Sequence, residues 1–323
     1  MKPFKTLEEQ IEILKQRNLK FKDEERAKRY LLDYNYYNII NYYSKFFMNI
    51  KVNKYYEGVY FEDILEVHHF DKEIKHSVFK SIMEIERHFK SILAYNYTKI
   101  FKDNLYSYLD INNYESNLIL DVANTTSLFS KKISLKSREK NNNSIKHYIN
   151  NHNSVPFWIL VDHLTFGEVI KFYKLNKEKI RNAVVKDLIY FLEDNTEEKV
   201  KTQISSKNIN LILENILELR NVTAHNNVLL GLKLRNDLPY LDEIHHKLNI
   251  NKTDNRQSFY HSILYFQLFL TKNQYEQLEN GLKKRIKKLK NKIQNEIYYN
   301  EIASSLGFSL EYLDSINKKQ TSK

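Results

Sequence analysis

The chain has no cysteine, which excludes disulfides and thiolate-bound metals. It has only five glycines and three prolines in 323 residues. A β protein of this length turns many times, and tight turns draw on those two residues. Their scarcity predicts an all-α fold. No uncharged stretch approaches the ~20 residues that span a bilayer. Residues 1–14 are charged and lack the apolar core of a secretory signal. The expectation is a soluble, cytoplasmic chain with no membrane partner. A Gly-rich phosphate loop, a His-Glu-x-x-His pair and a Gly-x-Ser-x-Gly elbow are also missing. No cofactor and no metal are expected.

Apolar residues make up 42% of the chain, enough for a real core. The formal charge is +11. A basic surface favours a polyanion, most simply nucleic acid. AT-rich genomes over-supply the Lys, Asn, Ile and Tyr that abound here, so charge alone does not decide.

Thr6-Leu7-Glu8-Glu9 reads as a capping box, with Leu7, Ile11 and Leu14 on one helical face behind it. A second helix is expected after Asp23, running into the aromatic block 35–43, with a turn around Asn53 to Gly58. The clearest helix covers about Phe61 to Phe101. Val67, Phe70, Ile74, Val78, Ile82, Ile85, Phe89 and Ile92 step by threes and fours along it. Its opposite face carries His69, Glu73 and His76, whose spacing could suit a metal but reads better as a solvated face. From 121 to 153 the periodicity dissolves into asparagines and lysines, a polar loop or hinge. Ser154 and Pro156 restart a helix through Trp158, Val161, Leu164, Phe172 and Leu175. Further helices are expected at Lys179–Leu192, from Ser205 or Ser206, and at Ser258–Leu270. The tail from Gln274 reads as a basic helix. The expected organisation is an N-terminal helical region (1–120), the polar segment (121–153), a second helical region (154–273) and the basic tail (274–323).

The second helical region carries Arg220-Asn221-Val222-Thr223-Ala224-His225 at the end of an apolar helical run. An arginine followed by a histidine at such spacing is weak evidence. Ten arginines and eleven histidines give roughly one match by chance, in the spirit of template counting. A second match exists at Arg256 and His261, but only Arg220 is followed by asparagine. On a helix, Glu214, Glu218, Asn221 and His225 share a polar face. Arg220 falls with Leu213, Leu217 and Ala224 on an otherwise apolar stripe. A buried guanidinium there needs an anion, and a phosphate would serve. Arg220 and His225 lie ~140° apart on a straight helix. The helix must therefore end near the histidine, or two copies must meet.

Several blocks resemble the Abi-like abortive-infection family (AbiD/AbiF type). They are Lys5-Thr6-Leu7-Glu8-Glu9-Gln10, the tyrosine segment from Asn35, Phe70-Asp71, Pro156-Phe157-Trp158 with Thr165-Phe166-Gly167, Leu219-Arg220-Asn221 with Ala224-His225, and Leu306-Gly307-Phe308. The resemblance implies a HEPN-like helical bundle with added N-terminal helices and a basic C-terminal tail. It also implies an RNA-targeting role in phage defence, in some relatives under control of a small non-coding RNA, and kinship with the ribonuclease modules of type VI CRISPR effectors. Carried over residue by residue, it puts Arg220, Asn221 and His225 on the HEPN ribonuclease motif. The sequence departs from the family at His68-His69, where an apolar-aromatic pair is more usual.

The mechanism expected of these residues is metal-independent endonucleolytic cleavage. His225 is the acid/base, Arg220 holds the scissile phosphate, and Asn221 orients the imidazole or the helix. One motif per chain predicts a homodimer. Lys283, Lys284, Arg285, Lys287 and Lys288 are the candidates for gripping an RNA backbone. The competing readings are a non-catalytic RNA-binding module and a helical scaffold for protein.

Overall fold

Thr6 and Glu9 close the expected capping box and open α1 (Leu7–Gln16) in the computed structural model, which describes residues 3–318. The architecture is all-α. Residues 1–2 and the end of the basic tail, 319–323, lie outside the described residues. Asp23 accepts from the Arg26 amide and begins α2 (Glu24–Tyr34), which buries Ala27 and Leu31. The tyrosine block follows as a π-helical turn, Tyr37–Asn41. A short hairpin, β1 (Met48–Asn49) paired antiparallel to β2 (Lys54–Tyr55), is the only sheet among the described residues. Asn53 and Gly58, at positive φ, make the turns expected there.

The long helix α3 (Phe61–Ile100) is as its periodicity predicts. Val67, Phe70, Ile74, Val78, Ile82, Ile85 and Phe89 are all buried. Each contributes about 1.5–3 kcal/mol on full burial. Two helices follow, α4 (Ile119–Arg138) and α5 (Ser144–His152). They correct the reading of 121–153 as a loop or hinge. Val122, Thr125 and Phe129 are buried at helical spacing and anchor α4. The Asn141-Asn142-Asn143 run is only the turn between the helices, and Asn143 caps α5 through the Lys146 amide.

The helix restarted by Pro156 is also not continuous. It is α6 (Phe157–Leu160), a 3-10 turn at Val161–His163, then α7 (Phe166–Leu175). A capping box between Thr165 and Glu168 starts α7 afresh, which is why the run breaks. The chain continues with α8 (Glu178–Thr196), α9 (Ser206–Ala224) and the short α10 (Asp242–His245). The run expected at Ser258–Leu270 is α11 (Phe259–Leu264) with a 3-10 turn behind it. The basic tail forms α12 (Lys272–Lys292), α13 (Glu296–Ser304) and α14 (Leu310–Lys318).

One apolar core joins all these parts. The centre is α3, which packs against α6, α7, α8, α9 and α12. The face of α3 that read as solvated is partly covered by α12. That helix has its own apolar stripe to bury, Leu278, Leu282, Ile286 and Leu289. Its Lys288 reaches Glu73 at 2.8 Å, while His69 bonds the Tyr30 hydroxyl at 2.8 Å.

Two buried histidines make the fold acid-sensitive. Burial pushes the His68 imidazole down to about 4, and the charges of His69, Lys75 and Lys72 add to the effect. Burial also pushes His245 down to about 4, against the Leu241 backbone and with Arg256 and His261. In the unfolded chain an imidazole protonates near 6.5. Between about pH 6.5 and 4 the unfolded state binds protons that the native state does not. Stability therefore falls as pH drops through that window, on the order of 3 kcal/mol per histidine. The urea midpoint is expected to drop between pH 7 and 4.5, with a shallower fall in His245→Gln. A midpoint independent of pH across this range would contradict the assignment.

Candidate functional site

The helix that carries the sequence motif, α9, begins with a capping box between Ser205 and Asn208. Ile209, Ile212, Leu213, Ile216 and Leu219 seat it in the core. Its polar face divides in two. Toward the middle, Glu214 pairs with Lys174 and accepts from Asn236 at 2.8 Å, and Glu218 accepts the Arg235 amide at 3.0 Å. The buried Asn215 exchanges two hydrogen bonds with the Asn236 backbone. These contacts tie the 235–236 segment to α9. At the end of the helix, Asn221 and His225 remain exposed.

The helix ends at the histidine, one of the two arrangements expected for the motif. Ala224 is its last residue and His225 its C-cap, with the His225 amide on the Asn221 carbonyl at 3.0 Å. Asn226 takes the left-handed conformation, φ 56°. The Asn227 amide reaches back to the Val222 carbonyl at 3.0 Å, closing a Schellman turn. Asparagine tolerates that conformation better than most residues, because its short polar side chain bonds locally. The chain turns away directly after His225 and leaves the imidazole at the helix end.

Arg220 is half-buried rather than buried, since Leu217 is only partly covered and Ala224 is exposed. Its Nε is enclosed and has no hydrogen-bond partner. Nη1 approaches the Asn221 side-chain oxygen at 3.5 Å, the limit of a hydrogen bond. No acidic side chain pairs with it among the described residues. The other arginine–histidine match is different. Arg256 is buried and donates to the carbonyls of Leu238, Asn251, Lys252 and Asp254. Its histidine, His261, bonds Ser258 at 2.7 Å. Arg256 is a clasp with Nε and Nη1 engaged; Arg220 has an unsatisfied donor and, among the described residues, no counter-charge. Asn221 touches both motif partners, the guanidinium by its side chain and the His225 amide by its carbonyl.

A buried clamp that the sequence reading missed holds the turn after His225. Lys75 and Asp71, one turn apart on α3, form a buried ion pair at 2.9 Å. The Lys75 ammonium also donates to the Asn226 side-chain oxygen at 2.8 Å and lies near the carbonyls of Asn226 and Asn227. The Asp71 carboxylate accepts from the Leu229 amide at 3.0 Å and the Tyr43 hydroxyl at 2.9 Å. The pair thus fixes the four residues beyond His225 to the central helix and to the tyrosine segment. A signal existed in the sequence: two opposite charges at i, i+4 beside the apolar stripe of α3.

Four of the five basic residues singled out on α12 line one open groove of about 600 Å³, which α14 borders with Tyr312 and Ser315. They are Lys283, Lys284, Lys287 and Lys288. Among the described residues, Lys284 and Lys287 have no acidic partner. Arg285 is not in that row. It turns to α3, donating to the Glu73 carbonyl at 3.1 Å and the Gly281 carbonyl at 2.9 Å. No helix among the described residues is long and apolar enough to cross a membrane.

A family model described as Abi-like protein matches residues 29–230, more than half of the chain and the whole of the motif helix. No curated protein and no solved structure matches it.

Proposed function

The chain belongs to the Abi-like protein family, that of abortive-infection defence, and we propose that it acts there as a metal-independent HEPN endoribonuclease. The observation that supports this reading is that Arg220, half-buried with its Nε unsatisfied and no acidic partner among the described residues, stands at the same helix end as an exposed imidazole. RNA supplies its own nucleophile. The 2′-hydroxyl attacks the adjacent phosphorus, its proton passes to an imidazole, and the 2′-O–P bond forms. The P–O5′ bond breaks and the leaving oxygen takes a proton. An imidazole serves both transfers near neutral pH. The planar fork of Arg220 stabilises the charge that gathers on the phosphoryl oxygens. Asn221 stands beside both residues, its side-chain oxygen near the guanidinium and its carbonyl on the His225 backbone amide. The products are a 2′,3′-cyclic phosphate and a 5′-hydroxyl.

Two proton transfers and one histidine per motif favour a site shared by two copies, with the two-fold axis near His225. A small non-coding RNA is a fitting regulator, and the lysine groove on α12 is the surface that suits its backbone. The purified chain is expected to cut single-stranded RNA in excess EDTA, to leave those ends, and to sediment as a dimer. Cleavage that stops in EDTA and returns with a divalent metal would overturn the mechanism. An active monomer would overturn the shared site.

The second reading is a non-catalytic RNA-binding module. It draws on the same groove, where Lys284 and Lys287 have no acidic partner among the described residues. In that case EDTA-treated protein retains RNA intact.

A further inference from the structure

Nine of the 24 tyrosines of this chain are buried in the core. Tyr43, Tyr97, Tyr108, Tyr173, Tyr265 and Tyr299 are fully buried. Tyr95 is not: it is 63% exposed on α3, and Trp158 at the start of α6 is 46% exposed beside it. The two rings flank an open groove of about 600 Å³ whose lining is mainly apolar. Its floor is made of small or short side chains, among them Ala94 and Val161, both buried. Flat apolar faces set in water are costly, and a patch of this kind marks a binding site.

The rim of the groove is basic. Arg87, Lys99 and Lys102 border the groove, against a single carboxylate, Asp162. Lys99 stands over the Tyr95 ring, 5.9 Å from its centre. Arg87 pairs with Glu84, and Lys102 lies 3.9 Å from Asp103. The Arg87 and Lys102 side chains are well exposed, and surface pairs of this kind are weak. All three cations are therefore available to an anionic ligand. Exposed rings interleaved with cations suit unpaired bases joined by phosphates. A duplex hides its base faces and cannot use the rings.

We propose that the groove between α6 and the C-terminal half of α3 binds single-stranded RNA, stacking bases on Tyr95 and Trp158 while Arg87, Lys99 and Lys102 hold the phosphates. The place is separate from the motif. Its near edge, Arg87, lies 12 residues beyond Lys75 on α3, about 18 Å along the axis at 1.5 Å per residue. Binding here does not depend on cleavage.

Trp158 is the only tryptophan in the chain, so its fluorescence reports on this groove alone. The probe is a 2′-O-methylated octauridylate, which has no free 2′-hydroxyl and cannot be cut by the proposed chemistry. Titrated into the full-length protein, it is expected to quench Trp158 saturably. A 2′-O-methylated duplex of the same length is expected to leave the signal unchanged. Three phosphate contacts predict a slope of about −2 for log affinity against log salt, at roughly 0.7 per single-strand contact. Tyr95→Ala, a surface change, is expected to weaken binding about tenfold. The proposal is overturned by an absence of quenching, by equal quenching with duplex, or by an affinity that Tyr95→Ala leaves unchanged. The first of these would point to a protein ligand for the groove. Cleavage of unmodified RNA by the same preparation is read in parallel. Quenching without cleavage sinks the ribonuclease reading alone; cleavage without quenching sinks the groove alone.

Discussion

Replacing His225 by alanine is expected to slow RNA cleavage by roughly 10²–10⁴-fold, the usual worth of a positioned acid or base. RNA affinity should stay within a few-fold, because the phosphate contacts are elsewhere. The imidazole is exposed at the C-cap and its side chain supports no part of the core, so the variant should fold as the parent does. Arg220→Ala is expected to cost about 10²–10³-fold, comparable to removing one preorganised donor from a developing anion. Arg220→Lys should recover little of that, since an ammonium does not reproduce the planar fork. Arg256→Ala is the internal control. Its donors close four backbone carbonyls, so it should lower stability and leave the cleavage rate per folded molecule nearly unchanged. Single-turnover rates on end-labelled RNA, with the folded fraction measured alongside, separate the two kinds of loss. Full activity in His225→Ala would end the assignment of the acid/base.

The comparison of Arg220 with Arg256 shows how far the sequence could be read. Both have a histidine at permitted spacing, and only the following asparagine told them apart. What separates them physically is that one guanidinium meets four carbonyls and the other has an unsatisfied donor. Those carbonyls belong to loops whose course no local pattern fixes. The long helix α3 was legible because its apolar residues, Val67 to Ile92, repeat over about seven turns without a slip, whereas the end of α9 was one of two arrangements the motif left open. Helix α4 was not. Its buried anchors, Val122, Thr125 and Phe129, are few and set among lysines, serines and asparagines, so its periodicity is faint. The covered face of α3 was misread for a related reason. Its Glu73 and Glu84 look solvated until α12, some two hundred residues later, brings Lys288 and Gln274 to them, and His69 until α2 brings the Tyr30 hydroxyl.

Lys75→Met is expected to cost about 3–5 kcal/mol of stability, the range for breaking one side of a buried ion pair. The substitution strands the Asp71 carboxylate in the core and removes the donor from Asn226 and Asn227. That is a large share of the 5–15 kcal/mol that holds a typical domain. A purely structural pair would lower the denaturation midpoint and nothing else. This pair also anchors the turn that sets where His225 points, so the folded fraction of Lys75→Met should show a lower single-turnover cleavage rate with unchanged RNA affinity. Asp71→Leu with Lys75→Met removes both charges at once. It should be less damaging than the sum of the single changes, which a double-mutant cycle reads directly. The rescue should remain partial. The Leu229 amide and the Tyr43 hydroxyl lose the carboxylate they donate to, and each buried donor left unpaired costs about 1–3 kcal/mol. Lys75→Arg keeps the charge but not the point geometry that reaches the Asp71 carboxylate and the Asn226 and Asn227 oxygens together, and it should rescue stability better than rate. Equal recovery of both would make the clamp a matter of folding alone and remove it from any account of how the imidazole is aimed.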